Sequence, residues 1–233
     1  MKKNFKFMII IIFIIILIFA LIISFIGLNE DNVNSKLLNE NSLGSVYLYG
    51  PYGNVDSTNK IAFIIGVHPL ENNSHRAVLN VLNDKNRVLN NSYYVYFVNV
   101  TKDSGNFDKS RLNGQLLAQE FIVPDIISKN YSMVVDFHSN RGVYVEETFL
   151  LAPLNEKESF DIGNNIVKDL NNFKMLKFVP ATDGHPTSPD YVSIPILKNG
   201  TNSLIFETII KQSDNKTYNL VNSFILKLDE VMS

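Results

Sequence analysis

Cysteine is absent from this chain of 233 residues, and histidine is scarce, with four in all. The lack of cysteine excludes disulfides, thiolate metal sites and cysteine nucleophiles, so a tightly held metal ion must be bound by histidine and carboxylate. The pattern G-x-S-x-G is also missing, which argues against a serine hydrolase. Basic residues are not in excess, since the net charge is −2, and the composition therefore predicts no nucleic-acid partner.

The longest hydrophobic run lies close to the N-terminus. Residues 8–27 carry no charge and consist largely of Ile, Leu and Phe. At about 1.5 Å per residue they are long enough to cross a hydrocarbon core of roughly 30 Å. Three lysines precede the run and two acidic residues follow it, so the positive-inside rule places residues 1–7 in the cytoplasm and the rest outside. We therefore predict a single-pass membrane anchor at residues 8–28, with a cleaved signal peptide as the alternative.

The remainder of the chain predicts one α/β domain. Residues 29–44 are polar and lack a sustained period, which predicts a linker, and residues 45–233 form the domain. Its apolar runs alternate between strand length and helical spacing, which is typical of βαβ units with a mixed, mostly parallel sheet flanked by helices. A segment rich in proline, residues 182–195, is predicted to be a loop. The predicted strands are 46–49, 61–67, 93–100, 133–137, 148–152, 175–179 and 204–207, and the predicted helices are 73–82, 114–128, 156–170 and 218–231.

Ionisable residues follow three of these strands directly. The segment I-A-F-I-I-G-V-H-P-L-E ends with His68 and Glu71, V-V-D-F-H-S-N-R contains Asp136 and His138, and L-I-F-E-T contains Glu207. Because ligands bind outside the carboxyl ends of strands in open α/β sheets, we expect these side chains to meet at one edge.

The residue types at this edge are typical of a catalytic zinc site. Such a site takes three protein ligands from histidine and carboxylate and keeps a fourth position for water. His68 and Glu71 lie in one short turn, and His138 is the best candidate for the third ligand. Asp136 precedes it by two residues and is predicted to hydrogen-bond the histidine or line the pocket. Glu207 is then the candidate for the carboxylate that takes a proton from the water. The two other histidines, His75 in a predicted helix and His185 in the predicted loop, are expected not to be ligands.

The order G-V-H-P-L-E, D-F-H-S-N and F-E-T resembles the zinc carboxypeptidase superfamily, and more closely its succinylglutamate desuccinylase/aspartoacylase branch. The resemblance implies one zinc ion held by His68, Glu71 and His138, with Glu207 as general base and acid, and it implies hydrolysis of an amide bond. The interval from Glu71 to His138 is short for the family, which predicts a trimmed version of the domain.

Substrate contacts depart from the family pattern. Where the family has a segment with Asn and Arg that grips the substrate carboxylate, the nearest equivalent is Arg111-Leu112-Asn113, in reversed order. Asn140 and Arg141, two and three residues after His138, are a second candidate carboxylate clamp. Tyr191, in the predicted loop, is a candidate hydroxyl donor to the pocket.

Two hypotheses of different classes follow. The first is a membrane-anchored, extracytoplasmic zinc hydrolase, which acts either as a carboxypeptidase on short or cell-wall peptides or as a deacylase of an N-acyl amino acid. The second is a catalytically inactive binding module that keeps the fold and recognises an envelope peptide or protein. The irregular arginine motif favours the second, and the complete set of metal ligands and general base favours the first.

Overall fold

An eight-stranded sheet organises residues 33–178 and 187–233, which are the residues that this computed structural model describes. The strands lie in the order β1-β2-β4-β3-β5-β8-β6-β7. The central strands β4, β3, β5 and β8 are parallel, whereas β1, β2 and the pair β6-β8 add antiparallel pairing on either side. The strands are β1 Ser35–Asn41, β2 Gly44–Gly53, β3 Lys60–Ile65, β4 Ser92–Val100, β5 Met133–Asn140, β6 Phe149–Ala152, β7 Lys174–Lys177 and β8 Ser203–Ile209.

Helices pack against the sheet. A π-helical turn, Ala118–Ile122, joins the helices Phe107–Leu117 and Val123–Ile127, and a short 3-10 turn, Pro153–Asn155, follows β6. The fold matches the predicted α/β class with a mixed, mostly parallel sheet. The helices are α1 Asn72–Lys85, α2 Phe107–Leu117, α3 Val123–Ile127, α4 Lys157–Val167, α5 Ser188–Tyr191, α6 Ser193–Lys198 and α7 Asp214–Met232.

The two faces of the sheet have different cores because successive side chains of a strand point to opposite faces. Phe63, Phe137 and Phe206 pack on one face, where Phe137 and Phe206 contact Phe224 of α7 at ring-centroid distances of 5.8 and 5.2 Å. The other face holds an aliphatic cluster that includes Ile64. Fully burying side chains of this size stabilises a fold by about 1.5–3 kcal/mol each.

The same alternation decides where the polar residues of β5 and β8 lie. Because Phe137 and Phe206 face α7, their neighbours Asp136, His138 and Glu207 face the opposite side of the sheet, towards α2. In the parallel register of β5 and β8, His138 lies directly opposite Glu207.

Two predicted irregular segments contain regular structure. The linker predicted at residues 29–44 is wrong for residues 35–41, which form β1, and the compact unit begins at Asn34. Nearly all of β1 is exposed, so the strand has no apolar alternation to reveal it. The predicted loop 182–195 is wrong from Ser188 onwards, where α5 begins; Asp190 accepts a hydrogen bond from the Thr187 backbone N–H at 2.7 Å.

No helix within the described residues combines the length and the apolar character needed to cross a bilayer. The predicted anchor at residues 8–28 lies outside the part of the chain that the structure describes.

Candidate metal centre and active site

The turn after β3 brings the first two predicted ligands together. Gly66 adopts a φ of +84°, and a Cβ at this position would lie 2.2 Å from the carbonyl oxygen of Val98, so only glycine fits this turn. The backbone N–H of Glu71 then donates to the carbonyl oxygen of His68 at 2.9 Å. Glu71 is the residue immediately before α1, and this tight turn places both side chains at the carboxyl edge of the sheet.

The third predicted ligand reaches the same point from β5. The Nδ1 atom of His68 lies 3.1 Å from Glu71 Oε1, and the Nδ1 atom of His138 lies 3.2 Å from Glu71 Oε2. One potential ligand atom from each of these three buried residues lies within 4.8 Å of the others. Two imidazole nitrogens and a carboxylate at such separations form a donor set that suits a divalent ion of the zinc type.

The far nitrogen of each imidazole contacts a second polar side chain. Gln115 Nε2 lies 3.2 Å from His68 Nε2, and Asp136 Oδ2 lies 2.9 Å from His138 Nε2. Metal-ligating histidines almost always donate their far N–H to a carboxylate or carbonyl oxygen, which fixes the ring orientation and tautomer. Asp136 is an acceptor of this kind for His138, whereas the amide nitrogen of Gln115 is a donor towards His68. Asp136 thus lies beside His138 as predicted, at ion-pair distance and without the predicted hydrogen bond, whereas the contact of Gln115 was not predicted.

Asp136 is fully buried, yet neither of its oxygens accepts a well-formed hydrogen bond from the described residues. Its contact with His138 has an ion-pair distance without hydrogen-bond geometry. Buried polar atoms without a hydrogen-bond partner are rare in native proteins, and a catalytic role or a bound ion is a common explanation for them. The three ligand residues and Asp136 thus fit a metal ion.

The protonation states of His68 and Glu71 favour metal binding, whereas His138 must first lose a proton. Burial lowers the pKa of His138, but the neighbouring carboxylates outweigh that effect and raise it well above its usual value, and metal binding releases such a proton. Burial, together with the nearby His138, lowers the pKa of His68 to about 4, so this imidazole is neutral at pH 7 and keeps a lone pair on one ring nitrogen, as a metal ligand must. Burial alone would raise the pKa of Glu71, but its hydrogen bonds with His138 and His68 outweigh that effect and hold the pKa below its usual range. The backbone N–H of Ser139 donates to Glu71 Oε2 at 3.0 Å, and the Arg111 guanidinium donates to Oε1.

Glu207 lies beside the candidate metal centre. Burial raises the pKa of Glu207 to about 7, although the positive charge of His138 opposes the shift. The side-chain amide of Asn140 donates to Glu207 Oε2 at 3.3 Å and so restricts its position. A carboxyl group with a pKa near 7 exchanges protons readily at neutral pH, which is what general acid and base catalysis requires.

Two adjoining cavities open onto Glu207. Their volumes are about 490 and 370 Å³, and their walls are similarly apolar; Arg111 and Lys177 line the larger, and Arg111 and Arg141 line the smaller. Arg111, Tyr144 and Glu207 line both cavities. His68 and His138 also line the larger cavity, which therefore gives access to the candidate metal centre.

The predicted substrate-binding residues divide into two groups. Arg111, Asn140 and Arg141 line the smaller cavity. Asn113 points elsewhere, because its side-chain amide donates to the carbonyl oxygen of Lys102 at 2.9 Å, and it lines neither cavity. Tyr191 packs against the core cluster and lines neither cavity; Tyr144 lines both, beside Glu207.

His75 and Ser188 approach the centre without forming a second catalytic set. His75 is buried, and its Nε2 lies 3.1 Å from the carbonyl oxygen of Phe137. Ser188 Oγ lies 3.5 Å from His138 Nε2, the same nitrogen that faces Asp136. A Ser-His-Asp relay needs its two partners on opposite ring nitrogens. His185 lies outside the described residues.

Sequence reasoning missed three side chains of the site, namely Phe107, Gln115 and Tyr144. Gln115 follows Arg111 by four residues and therefore lies on the same face of α2. That spacing was visible in the sequence, but helix α2 begins at Phe107, seven residues before the predicted start. Asn106 caps this helix by accepting a hydrogen bond from the backbone N–H of Lys109 at 3.0 Å.

Comparison with known proteins finds matches among solved structures only. No protein-family model matches the sequence, and no curated protein matches it. A metallo-carboxypeptidase from Burkholderia cenocepacia matches with a TM-score of 0.56 and 11% identity, over 89% of this chain and 67% of that one.

Two further structures give similar agreement. A metallo-carboxypeptidase from Pseudomonas aeruginosa, in complex with (2-guanidinoethylmercapto)succinic acid, has a TM-score of 0.55 and 11% identity, over 85% of this chain and 65% of that one. The Gln46His variant of cell shape determinant protein Csd4 from Helicobacter pylori has a TM-score of 0.53 and 12% identity, over 78% of this chain and 54% of that one. This chain thus spans about two thirds of the length of the carboxypeptidases and about half of Csd4. It has the fold of metallo-carboxypeptidases.

Proposed function

We propose that this chain is a zinc-dependent hydrolase of amide bonds, with a peptide or an N-acyl amino acid as substrate. The observation that carries the proposal is the convergence of His68, Glu71 and His138 within 4.8 Å, beside a carboxyl group, Glu207, with a pKa near 7. The metallo-carboxypeptidase fold supports the same reaction class. Within this reaction class, the proposal covers two kinds of enzyme: carboxypeptidases and the desuccinylase-like branch.

His68, Glu71 and His138 would hold the zinc ion. When bound, zinc supplies Lewis acidity, which polarises a carbonyl group and makes a water molecule more acidic. Gln115 and Asp136 keep the two imidazole rings oriented.

Glu207 and Arg111 supply the remaining chemistry. Glu207 accepts a proton from the attacking water as the oxygen of that water bonds to the carbonyl carbon, and it then passes the proton to the departing nitrogen. Arg111, which lines the same cavities, offers guanidinium donors to the negative charge that develops on the carbonyl oxygen.

The decisive experiment compares the full-length chain with its Glu207→Gln variant. We expect hydrolysis of a panel of dipeptides and N-acyl amino acids to fall by about 10²- to 10⁴-fold, while zinc content, measured by elemental analysis, stays at one ion per chain. A variant that hydrolyses as fast as the wild type would remove Glu207 from the mechanism.

The location of the protein is a separate proposal. The uncharged run at residues 8–27, with lysines before it, supports a membrane anchor with the catalytic domain outside the cytoplasm. An external domain favours an envelope peptide as substrate, and the similarity in fold to a cell shape determinant protein supports that choice. Accessibility of residue 233 to an external protease in intact cells tests the orientation.

A binding module without turnover is the second candidate. Its support is that Asn113 lines neither cavity and that Arg111 contacts Glu71. Wild-type protein that binds zinc and a peptide, but hydrolyses none of the panel, would favour this candidate.

A further inference from the structure

The dipeptide Asn-Gly occurs twice in the sequence, at Asn113-Gly114 and at Asn199-Gly200. Asparagine is a thermolabile residue type. A glycine that follows it makes it more reactive, because no Cβ shields the backbone nitrogen that attacks the side-chain carbonyl carbon. Since the two sites share this local chemistry, any difference between their reactivities in the native protein comes from the fold.

Asn113 is protected by the interior of helix α2. The residue is buried, and its side-chain amide donates to the carbonyl oxygen of Lys102 at 2.9 Å. Gly114 lies inside the same helix, where backbone N–H groups donate to carbonyl groups four residues earlier. A Cβ on Gly114 would lie 2.0 Å from the carbonyl oxygen of Val67, so there is no room beside this peptide bond for a ring. Reaction at Asn113 therefore requires helix α2 to open.

Asn199 and Gly200 lie in an exposed turn at the end of helix α6, where Asn199 is the C-cap residue. Gly200 adopts a φ of +88°, and a Cβ there would meet nothing within 4 Å. Two hydrogen bonds must break before the groups can react. The Asn199 side-chain amide donates to the carbonyl oxygen of Pro195 at 3.0 Å, and the backbone N–H of Gly200 donates to that of Leu197 at 2.9 Å. Both bonds lie at an exposed helix end, where local opening costs little free energy.

Asn202 separates this turn from strand β8. Its backbone carbonyl oxygen accepts a hydrogen bond from the N–H of Val134 at 2.9 Å, and its side-chain amide donates to Glu158 at 3.0 Å. These contacts fix the start of β8 to β5 and to helix α4. A change in the main chain at Asn199 is therefore confined to the turn, and the modified chain should remain folded.

We propose that Asn199 is a site of spontaneous deamidation in the folded protein, whereas Asn113 is protected. In this reaction the backbone nitrogen of Gly200 bonds to the side-chain carbonyl carbon of Asn199 and gives up its proton. The bond from that carbon to the amide nitrogen breaks, ammonia leaves, and a succinimide ring remains. Water then opens the ring at either carbonyl group, which gives aspartate or isoaspartate. Both products add a negative charge, and isoaspartate also lengthens the main chain by one carbon atom.

Mass spectrometry of the full-length chain, kept folded in a mildly alkaline buffer for several days, measures the conversion at each asparagine. A methyltransferase that recognises isoaspartate labels the isomerised product. We expect the rate at Asn199 to exceed that at Asn113 by at least about tenfold, which corresponds to roughly 1.4 kcal/mol in the free energy of local opening. Asn130 is the internal control and should stay unmodified, because it is exposed but is followed by Tyr131. None of these measurements depends on hydrolase activity.

Two further measurements separate the chemistry of the dipeptide from the effect of the fold. In denaturant, both Asn-Gly sites should react at similar rates, since helix α2 no longer protects Asn113. The variant Asn199→Gln should lose the rapid reaction, because the longer side chain must close a larger ring, and Asn113 should behave as in the wild type.

Any of three results would overturn the inference. The first is a folded chain in which Asn199 is as stable as Asn113, although both react in denaturant. The second is a preference for Asn199 that persists unchanged in denaturant, since the fold would then not be its cause. The third is isoaspartate that forms as rapidly in Asn199→Gln as in the wild type, which would place the reaction at another residue.

Discussion

Two buried aspartates, Asp229 and Asp136, differ in how their carboxylates are satisfied. Asp229 of α7 accepts hydrogen bonds from the backbone N–H groups of Asn90 and Asn91 at 2.9 and 3.0 Å, from both asparagine side chains and from the Tyr93 hydroxyl group. Asp136 of β5 is more deeply buried and accepts no well-formed hydrogen bond from the described residues. A carboxylate whose hydrogen bonds are all formed (here called saturated) stabilises the contact between two elements of the fold. A buried carboxylate without hydrogen bonds (unsaturated) beside a histidine instead indicates a functional site.

Replacing the saturated carboxylate should have the largest effect. Asp229→Ala removes the acceptor of several buried donors, and we expect the free energy of unfolding to fall by about 3–5 kcal/mol. Chemical denaturation of the full-length chain measures the loss, and zinc affinity of the fraction that remains folded should be unchanged. A loss below about 1 kcal/mol would mean that water replaces the carboxylate at no great cost.

Replacing Gly114 should have the second-largest effect, because helix α2 contacts the turn that carries His68 at this residue. A Cβ at this position would lie 2.0 Å from the carbonyl oxygen of Val67, next to His68. Gly114→Ala therefore forces α2 away from the turn after β3, and we expect a loss of about 1–3 kcal/mol in stability, together with weaker zinc binding. Gly105→Ala is the matched control, because a Cβ there meets nothing within 4 Å.

Replacing the unsaturated carboxylate should affect metal affinity rather than stability. Asp136→Asn removes the charge that orients His138, and we expect zinc affinity to fall by about 10- to 100-fold. Gln115→Leu should act similarly through His68. Competition with a chromogenic chelator measures both affinities. If Asp136→Asn bound zinc as tightly as the wild type, Asp136 would not support metal binding through His138, and its lack of hydrogen bonds would not indicate a functional site.

The pH dependence of hydrolysis gives the smallest and most graded effect. Burial raises the pKa of Glu207 to about 7, and only the ionised carboxylate can accept a proton from water. Activity should therefore rise with pH and fall about tenfold per unit below the midpoint, which corresponds to roughly 1.4 kcal/mol per unit. Because a nearby cation favours the ionised form, the midpoint should lie at or below about 7. A rate that increases as the pH falls from 7 to 5 contradicts this role.

The sequence predicted the residues at the strand ends well. His68, Glu71, His138 and Glu207 each follow or end an apolar run, and the parallel pairing of β3, β5 and β8 then brings them to one edge. That outcome depends only on the register of buried strands, which their apolar character indicates.

The contacts made by helices and loops were less accessible to sequence reasoning. The first turns of α2 lack an apolar period, so neither the helix start at Phe107 nor the position of Gln115 followed from the pattern. Tyr191 was assigned to the pocket because it lies in a segment rich in proline, but it packs against the core cluster. The exposed edge strand β1 gave no hydrophobic signal at all.

Helix α2 carries Arg111, which lines the substrate cleft, and Gln115, which contacts a ligand histidine, one turn apart. Gly114 keeps that helix in direct contact with the turn that bears His68. Under the proposed function, one helix therefore couples substrate preference to metal retention. Libraries randomised along α2 and selected for new substrates should accumulate compensating changes near His68, and inhibitors that displace Arg111 should also alter the rate at which zinc is lost.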